Sequence, residues 1–508
     1  MNEICHEKEG SGVVSSFPLS PSVMTEARTA QQDWGKLAVA KRLAVIRNFR
    51  SLVVTQLSEV TKTVLGSSSR PAAELLTAEI LPLLDACEFL EREAEKLLRP
   101  KRLGKRGLPK WLGGIRSEIH RDALGVVLII GPGNYPLFLP GVQVVQALVA
   151  GNAVLLKPGV GGTTAATTLA SLLAQAGLRR NLLTILPESI SAAQDAIEQL
   201  PDKVIFTGSA ATGALVLSQL AGRLIPATME LSGCDAAIIR ADADLDLASR
   251  AVAFGLTLNQ GATCMAPRRA FVAAEIAEHF IQLLSERLRQ TQSRKTETLS
   301  RQVAQKLRPL LDDALARGAR LVFGRDRNDG LIASPIILAD VPLSARLHRA
   351  ELFAPVLMIE TVSNDFDALN RTNDSFYALT ASIFSRNEQD AQWLARQLNA
   401  GVVTINDMII PTADPRIPFG GRKRSGFGVT RGGEGLLELT TMKVVTMTGG
   451  NFRPAFAPAQ PGDEQIFQAY ITAAHGEGWI NRGQAFVELL KKLSGRPKER
   501  SEHEKFKK

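Results

Sequence analysis

The sequence predicts an α/β protein built on open, doubly wound parallel sheets, and three observations predict it. Apolar runs at 125–130 and 153–156 lack polar alternation, which suits strands buried on both faces of a parallel sheet. Segments of helical period follow them, at 142–149 and 163–176. The strand–helix alternation continues to Leu220, and a second alternating block begins at Met229.

Taken in order, residues 1–24 are rich in Ser, Gly and Pro and read as a disordered arm. From Ala27 the pattern is helical, with Leu43, Ile46, Phe49, Val53, Val60 and Val64 recurring every three or four residues. A break at 67–71 precedes a second helix through Leu75, Ile80, Leu83 and Phe89. Residues 115–121 alternate briefly, as a strand or hairpin does. Strands at 182–186 and 204–206, a helix at 192–200 and another at 214–220 complete the first block. The second holds a helix at 245–256, a strand at 269–272, helices at 275–290 and 300–317, and a helix at 388–398. Residues 418–428 form a glycine-rich crossing too poor in helix formers to be an element. From Pro454 a Pro/Ala linker leads to a polar tail, in which 480–493 has the pattern of one short basic amphipathic helix.

The 508 residues are enough for two or three domains, and 45% hydrophobic with 22% charged residues is ordinary for a globular protein. Four scattered cysteines (Cys5, Cys87, Cys234, Cys264) form no CxxC pair, so neither a disulfide framework, a zinc site nor any other metal is expected, and a reduced, cytoplasmic setting is. No apolar run suits a signal peptide or reaches the ~20 residues a membrane span needs. The net charge of +9 gathers at 96–116 and in the tail from Lys491. Such clusters draw proteins to anionic lipid or nucleic acid. More often they are solvated, which is the reading preferred here over membrane contact. No nucleic-acid module is visible.

A lone cysteine such as Cys264, in the segment 254–269, is by itself most simply a small buried hydrophobe. The stretch Thr207-Gly208-Ser209 through Gly213 follows a strand and precedes a helix, where free N–H groups and the helix dipole favour phosphate; a plain turn explains it equally. Lys157 at a strand end and Glu351 at a helix start are unremarked surface residues when read singly.

In sequence order, however, Gly131-x-x-Asn134-Tyr135-Pro136, Lys157-Pro158, Phe206-Thr207-Gly208-Ser209, Glu230-Leu231-x-Gly233, Asn259-x-Gly-x-x-Cys264, Glu351-Leu352-Phe353-x-Pro355 and Pro418-Phe419-Gly420-Gly421 resemble the aldehyde dehydrogenase superfamily across about residues 27–445. The interval from Glu230 to Cys264, 264 − 230 = 34 residues, is similar to that family's base-to-nucleophile spacing. The resemblance implies an NAD(P)-dependent oxidation of an aldehyde to a carboxylic acid through a thiohemiacetal and a thioester on Cys264. It implies Glu230 as the base that activates water, and Asn134 with the Cys264 N–H as the oxyanion donors. It places Gly208 and Ser209 at the pyrophosphate, Lys157 at the adenosine ribose, Glu351 at the nicotinamide ribose and Phe353 near the nicotinamide, with Thr207, Gly213 and Leu231 also binding the cofactor.

It also implies a Rossmann-like cofactor domain (25–112 and 124–229), a catalytic domain (230–410), a bridging element (113–123 and 411–448) that makes a homodimer or homotetramer, and a C-terminal linker and basic tail (449–508). Gly133, Cys234 and Ala354 stand where relatives usually carry Trp, Lys and Gly. Gly159-Val160 lack the Glu that binds the adenosine ribose in many NAD-preferring members, so NADP is expected to be tolerated or preferred. Leu137, Phe138, Leu139 and Met265 point to an apolar pocket for a medium or long aliphatic or aromatic aldehyde. An acylating dehydrogenase of the same family ranks below hydrolysis because Glu230 is retained. A cofactor-free cysteine acyl hydrolase needs a His partner, and none of the six histidines lies in a motif near Cys264.

Overall fold

The computed structural model describes residues 20–66, 70–292, 299, 301–326, 332–449, 456 and 458–494. Two units separate, Met1–Leu103 with Ser117–Val445, and Gly104–Arg116 with Thr446–Lys508.

In the first unit, Val126–Ile130 (β1) and Ala153–Lys157 (β2) are buried at every residue, as their unbroken apolar sequence requires. With Leu183–Ile185 (β3), Lys203–Gly208 (β4) and Ala227–Leu231 (β5) they pair in parallel in the order β5-β4-β1-β2-β3. The order reverses at β1, and a crevice opens at the carboxyl ends of strands at such a switch point. Helices Phe138–Ala150 (α1), Thr163–Gln175 (α2) and Ala210–Ala221 (α3) follow β1, β2 and β4. All thirteen residues of α1 are buried, so this helix is covered on every side.

The second sheet joins Asp235–Ile239 (β6), Pro267–Ala273 (β7), Arg320–Asp326 (β8), Ile332–Ala339 (β9), Val356–Val362 (β10), Thr380–Phe384 (β11) and Val402–Ile405 (β12) in the order β8-β9-β10-β7-β6-β11-β12. Only the β8–β9 pair is antiparallel. Helix Leu245–Thr257 (α4) leads from β6 to the segment that carries Cys264. A third sheet orders Lys101–Leu103, Ile115–Ala123 and Thr440–Thr448.

The sequence expectation needs correction at four places. Residues 1–19 of the expected arm lie outside the described residues, but its end is helical: Pro21–Gly35 starts on a proline whose fixed φ suits the first helical position, capped by Ser20. Helix α3 begins at Ala210, four residues earlier than expected, because the Ser209 hydroxyl accepts from Thr212 N at 3.1 Å. The glycine-rich crossing contains strands, and Gly426–Phe427 (β13) pairs antiparallel with β5, Gly426 opposite Glu230. Gly426 holds φ +104°, and a Cβ there would collide with Met229 O, so only glycine fits. In the second unit the tail forms two helices rather than one, Asp463–His475 (α5) and Trp479–Ser494 (α6), packed on each other through buried Ala469, Ala485 and Leu489. Asp463 and Glu464 in the first turn of α5 complement its dipole.

Candidate active site

Beyond α4 the chain makes three consecutive left-handed residues, Asn259 (φ 48°), Gln260 (φ 53°) and Gly261 (φ 75°). Non-glycine residues adopt this conformation only where their surroundings enforce it, at a cost of about 1–3 kcal/mol each. Here Asn259 N donates to Glu74 Oε1 at 3.1 Å, and Asn259 Nδ2 to Asn134 O at 2.9 Å. The buried Arg268 guanidinium donates to Gly261 O at 2.6 Å and to Ala354 O. A Cβ on Gly261 would strike the Pro355 backbone. Tyr135 Oη shares a 2.7 Å hydrogen bond with Thr263 Oγ1. The loop is thus tied to the β1 exit, to the short helix Ala72–Leu75 and to the segment before β10, and it fixes Cys264 where these elements meet.

Two cavities share Cys264, Glu230 and Leu139 in their walls. One, of about 510 Å³, also exposes Asn134, Thr207, Gly208, Ser209, Glu351 and Phe353. The other, of about 600 Å³, is walled by Tyr135, Phe138, Phe254, Met265, Ile410 and Phe419, with Glu74, Glu230 and Arg431 its charged residues. Asn134 Nδ2 donates to Ala262 O at 2.8 Å, two residues before the cysteine. A carboxamide has two N–H hydrogens, so one remains for a ligand in the cavity.

Glu230 is buried. Its Oε2 accepts long hydrogen bonds from Thr430 Oγ1 (3.2 Å), Gln143 Nε2 (3.4 Å) and Thr207 Oγ1 (3.5 Å), while Oε1 has no partner among the described residues. Burial raises its pKa, and Arg431 opposes that shift. Burial also pushes the Cys264 thiol up to about 12, with Glu230 and Asp235 adding to the rise and Arg431 again opposing it. The resting thiol is therefore protonated at neutral pH, and attack requires a base. Cys87 and Cys234 are buried, their thiols raised chiefly by desolvation, so they are poor nucleophiles.

These features can be set beside known proteins. The sequence profile described as Aldehyde dehydrogenase family matches residues 21–445. The chain belongs to that family. A 4,4'-diapolycopene aldehyde oxidase of Methylomonas sp is 30% identical over 488 residues, covering 94% of this chain and 91% of that one. A Mycobacterium tuberculosis protein assigned by name to succinate semialdehyde and NADP is 32% identical over 448 residues, 86% of each chain. Among solved structures, a Mycobacterium tuberculosis aldehyde dehydrogenase complexed with NAD+ superposes with a TM-score of 0.77 at 27% identity, covering 85% of this chain and 90% of that one. An NADP-dependent glyceraldehyde-3-phosphate dehydrogenase of Bacillus halodurans complexed with NADP gives 0.76 at 27% identity, covering 84% and 90%. This aldehyde dehydrogenase is an NAD(P)-dependent oxidoreductase that converts an aldehyde to a carboxylic acid, and its cofactor domain is Rossmann-like.

The residues of the 510 Å³ cavity fit a nicotinamide nucleotide. The amino end of α3 attracts anions: Ala210 N donates to both Glu351 carboxylate oxygens at 3.3 Å. Leu231, Leu352 and Phe353 supply an apolar wall.

Of the residues singled out in the sequence, Cys264, Glu230, Asn134, Thr207, Gly208, Ser209, Leu231, Glu351 and Phe353 all reach this cavity. Lys157 and Gly213 are not in its wall. A Cβ on Gly213 would meet Leu231 Cδ2 at 2.7 Å, so that glycine serves close helix–strand packing. The Lys157 side chain is buried, which lowers its pKa against the opposing pull of Glu188.

Near Lys157 lies a carboxylate that the sequence reading did not weigh, Glu188. It accepts from Gly161 N and Thr163 N at 2.9 Å and from Thr163 Oγ1 at 2.6 Å, at the start of α2. Arg431, Gln143 and Thr430 also escaped the sequence reading. Arg431 is buried at φ 62°, donates to Thr412 O at 2.7 Å, and lies over the Phe419 ring at 4.2 Å. Its position thirteen residues after Pro418, just beyond the glycine-rich crossing, was the only signal available.

Proposed function

We propose that Cys264 Sγ attacks the carbonyl carbon of an apolar aldehyde that enters through the 600 Å³ cavity. The observation that carries this reading is the shared wall: one thiol and one carboxylate line both the 510 Å³ cavity and the apolar one. As the C–S bond forms, the thiol proton passes to Glu230, and the second hydrogen of Asn134 Nδ2 with the Cys264 N–H receives the developing oxyanion. Each such donor is worth roughly 3–4 kcal/mol in the transition state. Bound NAD(P)+ supplies the hydride acceptor for the aldehyde hydrogen, and the carbon is left as a thioester on Cys264. Glu230 next releases the thiol proton to solvent, and its Oε1, free of partners among the described residues, takes a proton from water as the water oxygen bonds the thioester carbon. The C–S bond breaks and the acid leaves.

Thr207, Gly208 and Ser209 serve the pyrophosphate, Glu351 the nicotinamide ribose, and Phe353 and Leu231 the ring. Lys157 serves the adenosine ribose, and Gly213 holds α3 close. Both cofactors are used, NADP being admitted by Gly159-Val160. The substrate is a medium or long aliphatic or aromatic aldehyde, because aromatic and aliphatic side chains supply most of the wall. Succinate semialdehyde, named for one relative, is accordingly the weaker substrate. The residue division is a cofactor domain (25–112, 124–229), a catalytic domain (230–410) and a bridging element (113–123, 411–448). Exposed Met442, Val444, Val445 and Met447 on the strand Thr440–Thr448 support homodimer or homotetramer assembly there. Three described cysteines without disulfides support a reduced, cytoplasmic setting.

The test is absorbance at 340 nm with an aldehyde panel and either cofactor. Growth with decanal or benzaldehyde, exceeding that with succinate semialdehyde and abolished in Cys264→Ala, is expected. Turnover that survives in Cys264→Ala, or a marked preference for succinate semialdehyde, refutes the assignment.

A further inference from the structure

Helix α6 exposes apolar surface that the fold does not use. At about 3.6 residues per turn, Trp479, Ile480, Phe486, Val487, Leu490 and Leu493 share one sector, roughly 140° wide. Trp479 is 84% exposed, Phe486 52% and Leu490 51%. The side of α6 that packs on α5 is a different one, formed by Ala485 and Leu489. A soluble helix normally buries its apolar stripe and exposes the polar one. Here six apolar side chains, Trp479 and Phe486 among them, point outward, and only Ala485 and Leu489 are buried.

Charge identifies what covers the stripe. Glu488 is the one acidic residue of α6, against Arg482, Lys491 and Lys492. The sequence after Ser494 adds six Lys or Arg against three Glu. No described helix is long and apolar enough to cross a membrane. An exposed apolar sector with a tryptophan at one end, flanked by cations, is the pattern of a helix that lies in the headgroup region of an anionic bilayer.

We propose that α6 is a lipid-surface anchor that binds anionic phospholipid bilayers with Trp479, Phe486, Leu490 and Leu493 inserted and the lysines on the headgroups. This reverses the preference for a solvated appendage drawn from the sequence. It is independent of the substrate assignment, because α6 contributes no residue to either catalytic cavity.

The experiment is flotation of the full-length protein with phosphatidylcholine vesicles, with and without roughly a third of phosphatidylglycerol. The protein is expected to float with the anionic vesicles, to detach in high salt, and to show a blue shift of tryptophan emission that Trp479→Phe removes. The double variant Phe486→Ser/Leu490→Ser changes exposed positions only. It should lower partitioning by about a hundredfold or more, since each inserted side chain is worth about a decade or more. Its turnover of a short, water-soluble aldehyde should stay at the wild-type rate. Absence of flotation at low salt overturns the proposal, as does flotation that the double variant leaves unchanged. A third result also overturns it: wild type ignores vesicles while the double variant lowers the solution mass, which makes a second copy of the chain the occupant.

Discussion

Asp235 lies at the start of β6 beneath the Cys264 loop, and its replacement by asparagine tests the electrostatics of the whole site. The carboxylate is buried, accepting from Thr380 N at 3.0 Å and Thr380 Oγ1 at 2.7 Å, and desolvation lifts its pKa from 3.8 to about 7. A carboxyl whose folded pKa exceeds its unfolded value stabilises the protein below the unfolded pKa, and this contribution is lost as pH rises through the folded one. Between pH 4 and 7 the folded state holds a proton that the unfolded state has released, so stability falls with pH. Three units at about 1.36 kcal/mol each amount to about 4 kcal/mol lost to this site by pH 8.

Asparagine keeps both contacts, accepting from Thr380 N through its oxygen and donating to Thr380 Oγ1 through its amide, but never ionises. The urea midpoint of Asp235→Asn should therefore match wild type near pH 4 and exceed it progressively up to pH 8. Because Asp235 also raises the Cys264 thiol, alkylation of Cys264 by iodoacetamide at pH 8 should be faster in the variant. Parallel midpoints for the two proteins from pH 5 to pH 8 would refute the reasoning.

Three other outcomes are expected. Asn134→Ala should lower kcat by about 10²–10³ with little change in KM, the effect of one lost oxyanion donor, and an equal loss confined to KM argues for a binding role instead. Arg431→Met removes the cation that opposes the upward shift of Glu230, so the acid limb of the kcat–pH profile should move to higher pH, and Arg431→Lys should restore part of it; an unmoved limb in Arg431→Met contradicts that assignment. Glu188→Gln takes a negative charge from the start of α2 and should raise kcat/KM for NADP relative to NAD, as steady-state rates with each cofactor would reveal.

The sequence by itself determined which segments would be buried strands and which would be helices, because unbroken apolar runs and a period near 3.6 are local properties. It also determined the order of the motifs, so that Asn134, Glu230 and Cys264 could be singled out although 130 residues separate the first from the last. Tertiary structure alone decided their surroundings. Thr430 reaches Glu230 from 200 residues away because the strand at Gly426 adds to the edge of β5, an antiparallel pairing that no period announces. Arg431 follows it into the same buried space and opposes the upward shifts of both Glu230 and Cys264. Glu188 reaches the start of α2 across a sheet crossover. Lys157 matched its motif yet lies outside the cavity wall, since a motif specifies residue order and leaves side-chain direction to packing. The outward face of α6 belongs to the same class: an amphipathic pattern shows that one side is apolar, but only the packed structure shows that it was left uncovered.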